Sequence, residues 1–122
     1  DAPCSATGTL RRNPETLWIK TPSDVVKFAP IQAELVAAAA KALKSGGRLV
    51  YAVCSLEPEE AAMAMSAAQS AGLVINQIAP SEVPSLENAL TPEGQLRILP
   101  GMWADTGGLD GFFIARFMKP AS

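Results

Sequence analysis

No histidine occurs anywhere in the 122 residues. That absence excludes a Ser/His/Asp or Cys/His nucleophilic site, and any His-containing zinc site, built from this chain alone. Cysteine is almost as scarce. Cys4 and Cys54 are the only two, which leaves no second pair for a structural zinc site and no Cys-x-x-Cys for thiol redox chemistry. Acid and base work must come from carboxylates, thiols or groups outside the chain. No apolar run reaches the about 18 residues of a spanning helix, and Lys41 and Lys44 interrupt the Ala-rich stretch near residue 38. The N-terminus has no basic region followed by an apolar run, so no secretory leader is visible. These absences predict no metal, no membrane partner and a cytoplasmic location, where both thiols stay reduced.

What is present suits one folded domain or a large piece of one: 48% of the residues are hydrophobic and 18% are charged. The net charge of −2 is unevenly spread. Residues 1–56 carry seven Lys or Arg against four acids, or +3, and residues 57–122 carry three against eight, or −5. An extended anion such as RNA would meet the first half, and +3 alone supports only weak binding.

Residues 2–22, punctuated by Pro3, Gly8, Pro14 and Pro22, read as a structured loop anchored by Leu17, Trp18 and Ile19. Thr21-Pro22-Ser23-Asp24 resembles a helix start, with Thr21 as N-cap, and predicts a short helix to about Ala29. Pro30 should begin or kink the next segment. Leu35, Ala38, Ala39, Ala42 and Leu43 then recur at helical spacing until Gly46-Gly47. The unbroken apolar run from Leu49 to Val53 predicts a buried parallel strand with Cys54 at its C-terminal end. Pro58 and Gly72 bound a second helix. Further strands are expected at 73–78, 95–99 and 112–117, with loops over 79–94 and 101–111. Phe112, Phe113 and Phe117 read as sheet packing, and Glu59 and Glu60 as first-turn helix acids.

Both cysteines end a segment and open a turn, which is where open α/β sheets place their chemistry. Two thiols and a carboxylate suit one demanding reaction. The C5 position of a pyrimidine becomes nucleophilic once a thiolate adds at C6, after which a proton acceptor lets the thiol leave. Cys54, Cys4 and Asp1 can divide those roles.

The phrases around them are more specific. Asp1-Ala2-Pro3-Cys4-Ser5 with Thr7-Gly8, Arg11-Arg12 with Pro14, Gly46-Gly47-Arg48-Leu49-Val50-Tyr51, Cys54-Ser55-Leu56 with Pro58-Glu59-Glu60, Leu99-Pro100-Gly101 and Asp110-Gly111-Phe112-Phe113 occur in order. Together they resemble the RNA 5-methylcytosine methyltransferases of the Sun/Fmu (RsmB-like) family.

The resemblance implies Cys54 as the nucleophile, Cys4 as the group assisting product release, and Asp1 as a contact to both the target base and S-adenosylmethionine. Ser5 and Arg12 would lie beside the RNA, expected to be rRNA. The implied fold is α/β, the C-terminal part of a Rossmann-like class I S-adenosylmethionine-dependent methyltransferase domain. It would hold a mixed sheet of about three to four strands with flanking helices. Residues 1–122 then form a partial catalytic domain whose N-terminal cofactor-binding half is missing. Such a piece should be inactive alone and prone to self-association through its open sheet edge. The alternative is a noncatalytic RNA-binding or assembly module that keeps the motif residues.

Two positions depart from the family pattern: Val53 stands where Thr is usual, and Ala6 where Gly is usual. A helix N-terminus after Cys54 favours its thiolate, while Glu57, Glu59 and Glu60 oppose it. The expected thiol is one that becomes reactive mainly with substrate and the rest of the domain in place.

Overall fold

The computed structural model describes residues 1–15, 18 and 22–121. Helix α1 spans Pro22–Ala42 and helix α2 spans Pro58–Ser70; the strands are β1 Arg48–Val53, β2 Val74–Ile75, β3 Leu96–Ile98 and β4 Phe112–Met118. The expected Thr21 N-cap, Leu17 and Ile19 lie outside the described residues. Trp18 is no anchor, being 88% exposed.

Pro30 does not divide two helices, as the sequence led us to expect, but lies inside one helix of 21 residues. The reason is the placement of its ring. Ala29, Gln32, Val36 and Ala40 are buried at helical spacing on one face, while Pro30 is exposed. The ring costs a backbone hydrogen bond on the solvent side only, and packing of the buried face against α2 holds the helix through it. The matching face of α2 is made of small residues, Ala61, Ala64 and Ala68, so the two backbones can approach closely.

The α/β class is as expected, and β4 is the centre of a four-stranded sheet in the order β1-β4-β2, with β3 also pairing β4. All three partners run antiparallel to β4, and so run parallel to one another without touching. β1 was expected to be a buried parallel strand. Its ladder is instead antiparallel, Arg48 facing Met118 through Val53 facing Phe113, and Val50 is 59% exposed. One face of β1 is open because Leu49, Tyr51 and Val53 turn inward and Val50, on the other face, meets no layer.

β2 and β3 share the far edge of β4. Val74 and Ile75 pair with Met118 and Phe117, and Leu96 to Ile98 pair with Ile114 to Phe112. The segment between them leaves the sheet, which shortens the expected strand over 73–78 to two residues. It returns at Gly94, where φ is +81° and a Cβ would lie 2.5 Å from the Cβ of Gln77. Only glycine satisfies both constraints.

The two faces of β4 bury different clusters. Phe113, Ala115 and Phe117 pack with Tyr51, Val53, Val36 and the α2 alanines, whereas Phe112 and Ile114 pack with Leu96, Ile98, Ile78 and Ala89. Alternation along one strand thus builds both cores. With Phe117 at 1% exposure, its truncation to alanine would cost about 3–5 kcal/mol.

Candidate functional site

Three segments converge at the C-terminal end of β1. Residues 1–2 run beside it, with the Ala2 N–H donating to the Ala52 carbonyl at 2.9 Å. The chain then turns at Cys4-Ser5 and enters a 3-10 turn over Thr7–Thr9. Its Gly8 N–H donates to the Cys54 carbonyl at 3.0 Å, and the Thr7 hydroxyl oxygen accepts from the Leu56 N–H at 2.9 Å. The first cysteine phrase is therefore fastened directly to the second.

The fastening brings the Cys4 and Cys54 sulfurs to 3.4 Å, both as free thiols. Burial, followed by the hydrogen bond to Cys54, pushes the Cys4 thiol up from 9.0 to about 12. Cys4 thus keeps its proton at neutral pH. Asp1 is exposed and borders a cavity of about 230 Å³ lined also by Ala2, Leu35, Val36, Leu49 and Tyr51.

Beneath the thiols lies a buried polar cluster that the sequence did not reveal. Glu60, expected to be a first-turn helix acid, holds that position and is also fully buried. Its Oε1 accepts from the Ser5 N–H at 2.9 Å and from Gln32 Nε2 at 3.2 Å; its Oε2 accepts from the Ser5 hydroxyl at 2.8 Å and from the Ser55 hydroxyl. Gln32 also donates to the Pro3 carbonyl at 2.8 Å. Arg97 closes the cluster from β3: Nη1 donates to the Ser55 carbonyl at 2.6 Å, and the guanidinium lies 4.9 Å from the centre of the Phe113 ring. Two signals were available in the sequence. A serine follows each cysteine, and Gln32 interrupts an otherwise apolar helix face.

Arg12 was expected beside RNA, and its nearest partner in this chain is Asp110. Arg12 Nε lies 2.8 Å from Asp110 Oδ2, and Arg11 Nε lies 3.1 Å from Oδ1. The Arg12 hydrogen bond holds the Asp110 carboxyl below its ordinary range. One acid thus offsets half of the paired positive charge on this surface. Ser5, the other residue expected beside RNA, is 1% exposed and occupied by Glu60.

The departures from the family pattern have visible consequences. Val53 is fully buried among Phe113 and the α2 alanines, where a methyl packs and a hydroxyl would need a partner. Ala6 sits at φ +60°, a left-handed conformation that favours glycine, and its N–H donates to the Cys4 sulfur at 3.4 Å.

The model of the family described as 16S rRNA methyltransferase RsmB/F matches residues 1–118. The chain belongs to that family. Among curated RsmB relatives, ribosomal RNA small subunit methyltransferase B of Escherichia coli O1:K1 / APEC is 39% identical over 121 residues, covering 98% of this chain and 25% of the relative. The chain thus spans about a quarter of the length of the curated relatives it matches. Solved structures agree on the fold. The crystal structure of PH0851 superposes with a TM-score of 0.81 at 29% identity, over 98% of this chain and 25% of that one. NSun6 from Pyrococcus horikoshii, solved with SFG, gives 0.73 at 27% identity, over 100% of this chain and 29% of that one. The Rossmann-like RsmB/F fold is therefore shared across these proteins.

Of the groups assigned by resemblance to S-adenosylmethionine, this chain supplies Asp1. A carboxylate beside an open cavity fits the cationic end of that donor. Apart from the Tyr51 hydroxyl the lining is apolar, so a ribose and adenine would find few partners here.

Proposed function

We propose that the protein carrying this chain methylates C5 of a cytosine in RNA, specifically rRNA, through a covalent bond between Cys54 and cytosine C6. The observation that carries this reading is the 3.4 Å approach of two free thiols, each followed by a serine, at the end of β1. The RsmB names of the relatives support rRNA as the substrate.

Addition of the Cys54 thiolate forms the C6–S bond and drives the ring's electron pair toward C5. S-adenosylmethionine supplies the electrophilic methyl group, and the C–S bond that breaks leaves its electron pair on the donor sulfur. The C5 proton then passes to solvent water, its C–H electron pair restoring the C5–C6 double bond as the C6–S bond breaks and returns its electron pair to Cys54. Cys4, in contact with that sulfur, assists the release. Asp1 contacts the base and the donor, and Ser5 and Arg12 belong to the loop that lies along the RNA.

Residues 1–122 contribute the thiols and one donor contact, and by themselves they methylate no RNA. Isothermal titration of this chain with S-adenosylmethionine should give no micromolar binding; such binding would overturn that part of the reading. The open edge of β1 also favours self-association of the isolated chain. The nucleophile is tested by trapping the complete protein on RNA containing 5-azacytidine. A covalent adduct is expected, and an adduct that persists undiminished in Cys54→Ala would refute the assignment.

A further inference from the structure

We propose that Glu60 is a positioning residue for the methyl transfer, its buried carboxyl group cross-linking the Cys4-Ser5 and Cys54-Ser55 turns so that the two thiols stay in contact. The inference rests on the role proposed above for the thiols.

The argument begins with where the four donors come from. Two belong to Ser5, one to Ser55 and one to Gln32, so a single side chain ties the N-terminal loop, the turn after β1 and helix α1 together. None of the three residues that supply these donors is more than 1% exposed. Each serine is the immediate chain neighbour of a thiol, so a shift of either turn moves its sulfur by a comparable distance. Both hydroxyls turn inward and donate to Glu60 Oε2.

The apolar core performs only part of this task. Val36, Tyr51, Phe113 and Phe117 hold α1, α2 and the sheet together. Ala2 and Cys4 pack against the margin of this core, while Ser5 is fixed by hydrogen bonds: the Glu60 pair, with Gln32 to the neighbouring Pro3 carbonyl at 2.8 Å and Gly8 to the Cys54 carbonyl at 3.0 Å. Removing Glu60 would free Ser5 from α2, leaving its buried N–H with no acceptor and its hydroxyl with only the Ser55 oxygen at 3.4 Å, a loss far greater than that of one solvated acid. Ser55 retains its contact to the Glu57 N–H at 3.0 Å. The Cys54 turn therefore stays near its place while the Cys4 turn drifts, and the 3.4 Å contact opens.

The test compares Glu60→Gln and Cys54→Ala with the unaltered complete protein, measuring kcat and KM for methyl transfer. It also measures the rate at which diamide joins Cys4 to Cys54 in this chain, two thiols giving up two electrons and two protons as diamide is reduced to its hydrazine. For Glu60→Gln, kcat should fall by about 10- to 100-fold with KM within about twofold, the size expected for an ångström-scale misplacement. Disulfide formation should slow in parallel. An unchanged kcat together with an unchanged cross-linking rate would overturn the inference. If Glu60→Gln does not fold, Ser55→Ala carries the test. It removes one donor and keeps the carboxyl, a lower kcat supports the proposal, and an unchanged one overturns it. Activity surviving in Cys54→Ala would instead show that the assignment of the nucleophile has failed, independently of Glu60.

Discussion

Gly8 and Gly111 meet backbone to backbone, the Gly111 N–H donating to the Gly8 carbonyl at 2.7 Å. A Cβ on Gly8 would lie 2.1 Å from the Gly111 oxygen and 2.9 Å from the Cys54 oxygen. Neither neighbour is a flexible side-chain end, so neither yields cheaply. Gly8→Ala should therefore destabilise the chain by about 1–3 kcal/mol, the cost typical of overpacking. Urea unfolding measures the loss. A midpoint equal to that of the unaltered chain would mean that the two loops do not touch.

This contact also shows what the sequence could and could not tell. Gly8 and Gly111 each sit in a phrase that resembles the family, yet nothing local joins positions a hundred residues apart. Helix α2 and β4 were legible because their periods and end signals agree with their final environments, and β1 was legible in place though not in burial or pairing. Pro30 misled because its effect depends on which face of α1 meets solvent, which is a tertiary fact. Glu60 is the first-turn acid it was read as, but its burial was hidden for the same reason. An acid three residues into a helix favours the N-terminus wherever it points, and only the folded chain brings Ser5, Ser55 and Gln32 to it. The two thiols were expected to converge; the cluster holding them was not.

Cys4 gives a pH test. Burial and its bond to Cys54 push its thiol up to about 12, from 9.0. Below 9.0 the thiol is protonated in both the folded and unfolded states and contributes nothing to the pH dependence. Between 9.0 and about 12 the unfolded chain loses the proton while the folded chain keeps it, so stability falls as pH rises. Iodoacetamide at pH 8 should accordingly modify folded Cys4 at least about tenfold more slowly than the same residue in urea. Mass spectrometry of the Cys4 peptide follows the rate, and equal rates would contradict the burial seen here.

Glu82 tests the opposite end of the scale. Arg116 grips it through Nη1 at 2.8 Å and Nη2 at 3.0 Å, and the Ala79 N–H adds a third bond at 2.8 Å. These hold its carboxyl down at about 2, from 4.5, the Arg116 hydrogen bonds contributing most. The contribution is present above the ordinary value and is lost as pH falls through the window from 4.5 to about 2, where the unfolded chain takes up the proton first. Glu82→Gln should flatten the acid limb of the stability profile in that window. The pair is exposed, so added salt should shrink the difference. Denaturation midpoints collected from pH 6 to pH 2 decide it, and parallel curves for the two proteins would exclude the pairing.

Ala6 offers a change that should strengthen the site. Its φ of +60° places a Cβ in a region that only glycine occupies without strain. The turn is fixed from both sides: the Thr9 N–H and hydroxyl donate to the Ala6 carbonyl at 3.0 and 2.8 Å, and the Ala6 N–H points at the Cys4 sulfur. The backbone therefore cannot relax to a negative φ without releasing Cys4. Ala6→Gly removes the strain and adds freedom to the unfolded chain, two effects of opposite sign. The left-handed penalty of about 1–2 kcal/mol exceeds the about 0.4–1 kcal/mol entropic cost of glycine, so a net gain of up to about 1.6 kcal/mol is expected. Thermal unfolding should show a higher midpoint for Ala6→Gly, and Ala6→Val, with a branched side chain in the same backbone, a lower one. A lower midpoint for the glycine variant would mean that residue 6 does not hold the left-handed turn that points its N–H at Cys4.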